Sequence, residues 1–560
     1  MTAALPPTAW TTGTTEVFKT GTWRSMLPRH VARPSPCHQA CPVNGEIATW
    51  IGHARAGDLR RAWEVLTVNN PFPAIAGRVC HHPCEAACNR AAYDEAVSVC
   101  RLERSVGDAA LARGWAFDVP ALEAPGHVAV VGGGPSGLSA AYQLRRRGWR
   151  VSLHEAAPKL GGLMRYGIPA YRLPRDVLDA EIGRIVAMGV EVHCNSPLED
   201  AAALDRLIAT HDAVYAATGA ARPKTLPQFP PRAPWLLQAS DYLARSSEGV
   251  RAPLGRRVIV VGGGSAAMDV ARTARRGGSE VAVVALEPRD RMPAQADEVH
   301  EALEEGVTFH HGAMVCSSRA LPGGGVAVDC VHVAFEAAVP GGPPRVKPLP
   351  GNEFSLSADA VIVAIGQDAE LSPFTSCGTT GAVLQVDIGQ STSRDKLWAG
   401  GDLASMARFV TEAVGMGKRA AIDIDRRLRG KTLEAASRNV PLEFAWNATR
   451  AAPVAIAEIA TWHHTHGRRP AAVRAGAKQR LATGGEVQIA LSAAELQGEA
   501  ERCFSCGSCT ACDNCYSYCP DLAVKRVDGG YTVLADYCKG CGVCVRECPT
   551  GSMLLQEETR

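Results

Sequence analysis

The stretch His127–Pro174 constrains the fold more than any other. An apolar run, Val128–Val131, leads into Gly132, Gly134 and Gly137 in the order G-x-G-x-x-G, and Ser139–Leu144 continues as a helix. A second apolar run, Val151–Leu153, ends on Glu155. Strand, glycine turn, helix, strand and acid in register make a βαβ unit. The glycines, with Pro135 and Ser136 between them, allow a tight turn and close backbone approach to a pyrophosphate. The helix start offers bare N–H groups, and Glu155 can bind a ribose hydroxyl. A second unit follows. RRVIVVGGGSAAMDVARTA carries Gly262, Gly264 and Ala267 in the G-x-G-x-x-A variant, with Ser265, Ala266 and Asp269 in the same turn and helix, and EVAVVALE ends on Glu287. Two complete units mean two dinucleotides facing each other, one in each lobe.

At 560 residues the chain holds several domains. Its 59 Lys+Arg against 57 Asp+Glu suggest neither a nucleic-acid surface nor a polybasic membrane anchor. No apolar run reaches spanning length and the N-terminus lacks a signal peptide's apolar core, so a cytoplasmic protein without a membrane span is expected. The unusual number is 20 cysteines, six of them between Cys37 and Cys100 and ten between Cys503 and Cys548. Cys194, Cys316, Cys330 and Cys377 stand alone and read as structural. Short-spaced clusters in such a chain read as metal or iron–sulfur ligands, not disulfides.

The C-terminal cysteines are the most specific signal. Cys509, Cys512, Cys515 and Cys519-Pro520 match C-x2-C-x2-C-x3-C-P, and Cys538, Cys541, Cys544 and Cys548-Pro549 repeat it. This is the bacterial two-cluster ferredoxin pattern, in which the fourth cysteine of each run ligates the other cluster. One [4Fe–4S] cluster then takes Cys509, Cys512, Cys515 and Cys548, and the other Cys538, Cys541, Cys544 and Cys519. A zinc reading fits one C-x2-C pair but not two full runs.

At the other end, CHQACPVNGEI leads into expected helices at Ile47–Ala56 and around Leu59–Val68. Cys80, Cys84 and Cys88 are spaced by four, as if on one helical face, and Cys100 and Glu103 are three apart on another helix. The proline after Cys41 stops the chain folding back over a metal.

GGLMRYGIPAYRLP, with Gly162, Leu163 and Arg165, resembles the FAD-binding segment of the glutamate synthase small-subunit family of flavoproteins. DAVYAATGA (212–220, with Gly219) resembles the ATG motif where such folds leave the flavin domain. ADAVIVAIGQ (358–367, with Gly366) reads as the first lobe's second glycine-ended strand. The resemblance implies that Asp402 of the Gly401-Asp402 turn binds the ribityl chain. It also implies that the helix after Val410, starting at Thr411, points at the flavin.

The cysteines of 37–110 resemble the N-terminal iron–sulfur domain of glutamate synthase small subunits and dihydropyrimidine dehydrogenase, which hold two [4Fe–4S] clusters there. The family order begins C-x2-C, but Arg29 and Ala32 stand at those places. Cys503 and Cys506, in EAERCFSCGSC, are surplus to the ferredoxin pattern and sit in a setting similar to the family's R-C-x-x-C-G. The resemblance thus implies one cluster on Cys37, Cys88, Cys503 and Cys506, and another on Cys41, Cys80, Cys84 and Glu103, with Cys100 as the alternative to Glu103; the other reading leaves Cys503 and Cys506 as free thiols and gives the N-terminal domain one cluster. In its NADP-using relatives the second nucleotide lobe has Tyr-Arg-Arg where this chain has Ala285-Leu286-Glu287. A carboxylate there favours NAD(H) over NADP(H), though Arg289 and Arg291 lie near.

The expected fold is multidomain α/β: an N-terminal helical iron–sulfur domain, two nested Rossmann-like dinucleotide-binding domains, and a C-terminal bacterial ferredoxin-like α+β domain. The expected boundaries are an extended arm at 1–36, the helical domain at 37–120, FAD-binding parts at 121–255 and 351–430, the NAD-binding domain at 256–350, a linker at 431–500 and the ferredoxin domain at 501–560. HHTH at 463–466 has no neighbours to complete a metal site. The expected function is an oxidoreductase passing electrons between NAD(H) and a low-potential one-electron carrier. The carrier is a ferredoxin or a 2-oxoacid:ferredoxin oxidoreductase-type partner, in a hetero-oligomer. The alternatives are a glutamate synthase small subunit serving a large one, and a non-catalytic iron–sulfur scaffold. The flavin carries the hydride chemistry, so no side chain is expected to be catalytic. No dithiol pair lies beside either glycine turn, which argues against a disulfide relay.

Overall fold

The computed structural model describes residues 24–122, 124–336, 345–430 and 452–558. A short strand, β1 (Met26–His30), precedes a helical domain of α1 (Ile47–Arg55), α2 (Leu59–Asn69), α3 (Pro73–Val79) and α4 (Val99–Ala112). Trp50, Ile51, Trp63, Leu66, Leu102 and Val106 close its core. α3 and α4 cross at van der Waals distance: a Cβ on Gly77 would lie 2.3 Å from the Arg104 nitrogen, and one on Gly107 2.3 Å from that of Ala74.

The first lobe runs β2 (His127–Val131), α5 (Pro135–Arg146), β3 (Arg150–His154), β4 (Glu191–His193) and β5 (Ala213–Ala216). The second runs β6 (Leu236–Gln238), β7 (Arg257–Val261), α6 (Ser265–Arg276), β8 (Glu280–Ala285), β9 (Thr308–His311) and β10 (Ala360–Val363). The chain then returns through β11 (Leu397–Ala399) and the long α7 (Val410–Leu428). Each lobe is a five-stranded all-parallel sheet, in the order β11-β5-β2-β3-β4 and β9-β8-β7-β10-β6. Their central strands are nearly unbroken buried aliphatic runs, as parallel strands covered on both faces require. A three-stranded antiparallel sheet (Ala313–Ala320, Val326–Glu336, Arg345–Ala358) is inserted in the second lobe.

This topology corrects two assignments. The strand in 358–367 does not return to the first lobe; β10 lies between β7 and β6 in the second sheet. The two D-A-V strands play equivalent parts. Asp212, before β5, accepts from the His127 nitrogen at 2.8 Å, and Asp359, before β10, accepts from that of Arg257 at 2.8 Å. Each aspartate ties its strand to the strand that precedes the glycine turn of its own lobe. Leu236–Gln238, in the stretch assigned to the first lobe, also pairs in the second sheet.

Residues 452–500, within the expected linker, cross both lobes and the helical domain. The Val487 nitrogen donates to the Tyr171 carbonyl, Glu486 pairs with Arg78 and Arg104, and Arg474 and Arg480 pair with Asp297 and Glu305. β1, within the expected arm, pairs antiparallel with β12 (Met553–Glu557) of the C-terminal domain, Arg29 opposite Leu554. The rest of the arm, 1–23, lies outside the described residues.

α7 holds the first lobe to the helical domain. A Cβ on Gly417 would sit 2.1 Å from the Ser136 carbonyl oxygen of α5, and one on Gly415 2.2 Å from that of Pro42. Lys418, 2% exposed, donates to the Val43 carbonyl at 3.0 Å and to Asn69. Glu181 of the first lobe accepts from the Ala74 and Ile75 nitrogens and so caps α3 from outside; burial pushes its carboxyl up to about 8. Gly415→Ala must force the Cys41-Pro42 turn off α7. It is expected to destabilise the protein by about 1–3 kcal/mol, the usual overpacking penalty, seen as a lower unfolding midpoint in calorimetry.

Candidate functional site: a two-nucleotide cavity beside cysteine quartets

A cavity of about 1130 Å³ opens between the two lobes. In the first, Gly132 has φ +108°, and a Cβ there would lie 2.2 Å from the Ala217 oxygen; one on Gly137 would lie 1.9 Å from the Gly132 oxygen. Only glycine closes this turn. Gly134 caps α5 with no side-chain hydrogen bond, so the first N–H groups of the helix face the cavity. Glu155 accepts from the Gly133 nitrogen at 2.6 Å and the Ala157 nitrogen at 2.7 Å. The second lobe repeats the device: a Cβ on Gly262 would lie 2.3 Å from the Ala364 oxygen, and Gly264 has open space before it. Glu287 approaches Gly263 as Glu155 approaches Gly133. Uncapped helix starts, glycine faces and a carboxylate at the end of the strand after each turn fit a dinucleotide in each lobe.

Of the residues singled out in the sequence, Gly132, Gly134, Pro135, Ser136, Glu155, Gly162, Leu163, Gly219, Gly262, Gly264, Ser265, Ala266, Asp269, Glu287, Gly366, Gly401 and Asp402 line this cavity. Gly137, Arg165, Ala267 and Thr411 do not. Gly137 and Ala267 pack the turns from behind. Arg165 donates to the Leu160 carbonyl and pairs with Asp179, holding the Gly161-Gly162 turn. Asp402 has its carboxyl raised by burial, with Arg408 opposing. Asp269 is engaged by protein: Arg172 pairs with it at 2.6 Å and also with Glu298, and burial lifts its carboxyl to about 6 against the pull of Arg172. Tyr171, under the guanidinium of Arg276 at 3.7 Å, and Arg172 thus plug the first lobe into α6. Sequence reading quoted this pair without giving it that role; an apolar-aromatic then basic residue in an otherwise irregular segment was the available signal. No cysteine lines the cavity among the described residues.

Thr411 faces the other way. Its Oγ1 lies 3.5 Å from Cys80 Sγ, so the first turn of α7 separates the cavity from the N-terminal cysteines by one residue. Cys80, Cys84 and Cys88 do not share a helical face. Cys80 ends α3, His82 adopts φ +60° and Pro83 starts a new turn, which breaks the spacing of four. Cys41, Cys80, Cys84 and Glu103 nonetheless converge. Burial, then Glu103 and Cys80, push the Cys41 thiol up to about 12, and burial followed by Cys80 pushes Glu103 up to about 8. Glu103 accepts from Asn70 at 2.7 Å, and Cys100 also lies against Cys80. Cys37, Cys88, Cys503 and Cys506 surround a second, small cavity.

In the C-terminal domain a third cavity is lined by Cys509, Cys512, Cys515 and Cys548. Cys519, Cys538 and Cys541 lie against Cys544, whose thiol burial and these neighbours push up to about 12. Both groupings join the first three cysteines of one run to the fourth of the other, and soft thiolate sets of this kind suit iron–sulfur clusters. The HHTH histidines diverge: His463 pairs with Glu547, His464 meets the Pro549 carbonyl, and His466 stacks on Tyr93.

Comparison with known families agrees with this geometry. Residues 126–417 match the pyridine nucleotide-disulphide oxidoreductase family, 31–115 match dihydropyrimidine dehydrogenase domain II, 4Fe-4S cluster, and 531–553 match the 4Fe-4S binding domain. The chain belongs to the pyridine nucleotide-disulphide oxidoreductase family, in its FAD- and NAD(P)-dependent iron–sulfur branch. It is similar to the NADP(+)-dependent formate dehydrogenase subunit beta of Moorella thermoacetica (36% identical, over 71% of this chain and 60% of that one). It is also similar to the NADPH-Fe(3+) oxidoreductase subunit beta of Geobacter sulfurreducens (35%, 60% and 52%). A third relative is the NAD-dependent dihydropyrimidine dehydrogenase subunit PreT of Escherichia coli (33%, 71% and 92%). The match spans little more than half the length of the first two relatives. Among the described residues no helix is long and apolar enough to cross a membrane.

Glu155→Ala leaves the Gly133 N–H without its acceptor and removes a carboxylate from the cavity wall. FAD affinity is expected to fall at least tenfold, from a loss of about 1.5–3 kcal/mol for a charged hydrogen bond, measured by flavin retention on dialysis.

Proposed function

We propose that this chain is the nicotinamide-facing subunit of a larger redox assembly, exchanging electrons between NAD(H) and a low-potential one-electron carrier such as a ferredoxin or a 2-oxoacid:ferredoxin oxidoreductase-type partner. The observation that carries the reading is the contact between Thr411 and Cys80. It sets a cysteine quartet one side chain behind the helix whose N-terminus faces the two-nucleotide cavity. Bound FAD supplies the exchange between hydride and single electrons, and [4Fe–4S] clusters carry electrons one at a time. The protein's part is to hold the nucleotides by the two glycine turns, to fix the lobes through Tyr171 and Arg172, and to keep cysteine chemistry out of the cavity. The relatives above are named as beta subunits or as a dehydrogenase subunit, which supports a hetero-oligomer. On addition of NADH to the anaerobic protein the flavin absorbance is expected to bleach; an unchanged spectrum would identify a scaffold instead.

The coenzyme in this reading is NAD(H). Glu287 lines the cavity at the end of β8, where a carboxylate accepts from a 2′-hydroxyl and repels a 2′-phosphate. Arg289 and Arg291 are exposed in the turn beyond it. The relatives' names include both coenzymes, so kinetics decide. The ratio of kcat/KM for NADH over NADPH is expected to exceed ten and to collapse in Glu287→Ala, by roughly the 1.5–3 kcal/mol of one charged hydrogen bond. Equal efficiency with NADPH in the wild type would refute the preference.

The C-terminal domain is the exit or entry for single electrons, since Cys509, Cys512 and Cys541 are exposed there. Deleting residues from 500 onward would also strip β1 of its partner strand and remove Cys503 and Cys506, so a point variant is the cleaner test. Cys541→Ser is expected to cut transfer to the one-electron partner at least tenfold while NADH still bleaches the flavin; undiminished transfer would place the exit elsewhere.

A further inference from the structure

The cavity lined by Cys37, Cys88, Cys503 and Cys506 falls between the matched iron–sulfur regions: 31–115 supplies two of its cysteines, and the other two precede 531–553. We propose that these four cysteines bind a further [4Fe–4S] cluster, shared between the helical domain and the segment that enters the ferredoxin domain. The proposal rests on the iron–sulfur reading above.

Three independent features of the site support it. The first is the shape of the ligand loop. In this chain the residue two after a cluster cysteine recurrently takes a left-handed conformation and aims its N–H back at the sulfur. Ala511 (φ +52°) does this to Cys509, Gly540 (φ +74°) to Cys538 and His82 (φ +60°) to Cys80, each at 3.4 Å. Ser505 (φ +52°) does the same to Cys503, at 3.4 Å. A buried serine held at positive φ is strained without a reason, and a thiolate needing an N–H donor supplies one.

The second is the pocket. Ile47, Ile51, Val97, Val99 and Phe504 wall it with apolar surface. Two further donors reach its sulfurs: Ser35 Oγ lies 3.1 Å from Cys37 Sγ, and Asn89 Nδ2 lies 3.5 Å from Cys506 Sγ. All four cysteines are free thiols. Among the described residues, His82, Glu85 and Cys100 alone bring three donor atoms within 4.8 Å of one another. Glu85 of that trio is already held by Arg469 and the Cys100 nitrogen. The four sulfurs of the split pocket are therefore spread too widely for one tetrahedral ion, whose thiolates at a zinc–sulfur bond length sit about 3.8 Å apart. A four-iron cubane accepts that wider spread. Arg90, 2% exposed, lies over Phe504 at 4.9 Å and donates to the Arg502 carbonyl, placing a cation beside a site whose four thiolates carry excess negative charge.

The third is the fate of the segment that lacks cysteines. Arg29 is in β1, hydrogen-bonded along the last strand of the ferredoxin domain. The backbone at Arg33 then donates to Gly507, next to Cys506, and Gly507 donates to Thr550. A Cβ on Gly507 would lie 2.0 Å from the Arg33 oxygen. The segment that has no ligands thus brings in the segment that has two.

The test is anaerobic iron and flavin analysis of full-length variants, with cryogenic EPR of the dithionite-reduced protein. The wild type is expected to hold about sixteen iron. Cys503→Ser/Cys506→Ser should lose about four iron and one EPR component, with FAD retained. Cys88→Ser should lose the same four, and the triple variant no more than either, because one shared cluster can be lost only once. About twelve iron in the wild type, unchanged in the double variant, would overturn the split site while leaving the other clusters intact. Additive loss, about eight iron in the triple variant, would also overturn it, assigning the two pairs to different sites. A wild type without iron or flavin would sink the wider reading instead. If the double variant fails to fold, Cys506→Ala alone gives the same iron count to compare with Cys316→Ser, an exposed thiol whose loss should remove none.

Discussion

Two sides of α7, one carrying Thr411, Gly415 and Lys418 and the other Gly417, decide where everything else sits. Two glycines let backbone meet backbone, Gly417 against Ser136 of the phosphate-binding helix and Gly415 against Pro42 beside Cys41. The helix therefore touches α5 on one side and the Cys41-Pro42 turn on the other, with no side chain between at either contact. Lys418 adds a buried cation satisfied by groups of the helical domain, which is strongly destabilising to leave unpaired and so admits one docking of that domain. The dipole at the start of the same helix faces the cavity, where negative charge is stabilised.

The two lobes were legible because their signals are local and redundant. Apolar strand, glycine spacing and terminal acid all fall within about 30 residues, and each constrains the same turn. The ferredoxin cysteines were legible for a similar reason. The assignment of β10 was not, because D-A-V followed by an apolar run and glycine closes both lobes alike. Hydrophobicity cannot tell which sheet a strand joins when both sheets bury it on both faces. The distinguishing feature, Asp359 reaching the N–H groups of Arg256 and Arg257, is a contact across about 100 residues. The spacing of Cys80, Cys84 and Cys88 misled in the opposite way: helical periodicity was read through Pro83, which local chemistry forbids.

What joins the domains was hardest to see. Residues 452–500 have little periodicity, yet they are fixed by charge: Arg480 and Glu305 are almost wholly buried, and Arg272 and Arg276 share the same carboxylate. Buried ion networks of this kind add little to stability on balance but penalise any other arrangement, since a slipped register leaves charges unpaired. Such specificity resides in partners that sequence reading has no way to match. The plug of Tyr171 and Arg172 into α6 is of the same type.

The pairing of β1 with β12 bears on the order in which the polypeptide can mature. Arg24 and Glu558, which close that ribbon, are separated by 534 residues. At a synthesis rate of about 5–20 residues per second, the first strand emerges roughly half a minute to two minutes before its partner exists. During that interval β1 is an unpaired edge and the cysteines that follow it are open to oxygen and stray metal. The nucleotide lobes can close while the ribosome is still working, but the two ends of the molecule cannot. A cluster held by Cys37, Cys88, Cys503 and Cys506 would therefore form only after residue 506 has left the ribosome, whereas Cys41, Cys80, Cys84 and Glu103 are all available early.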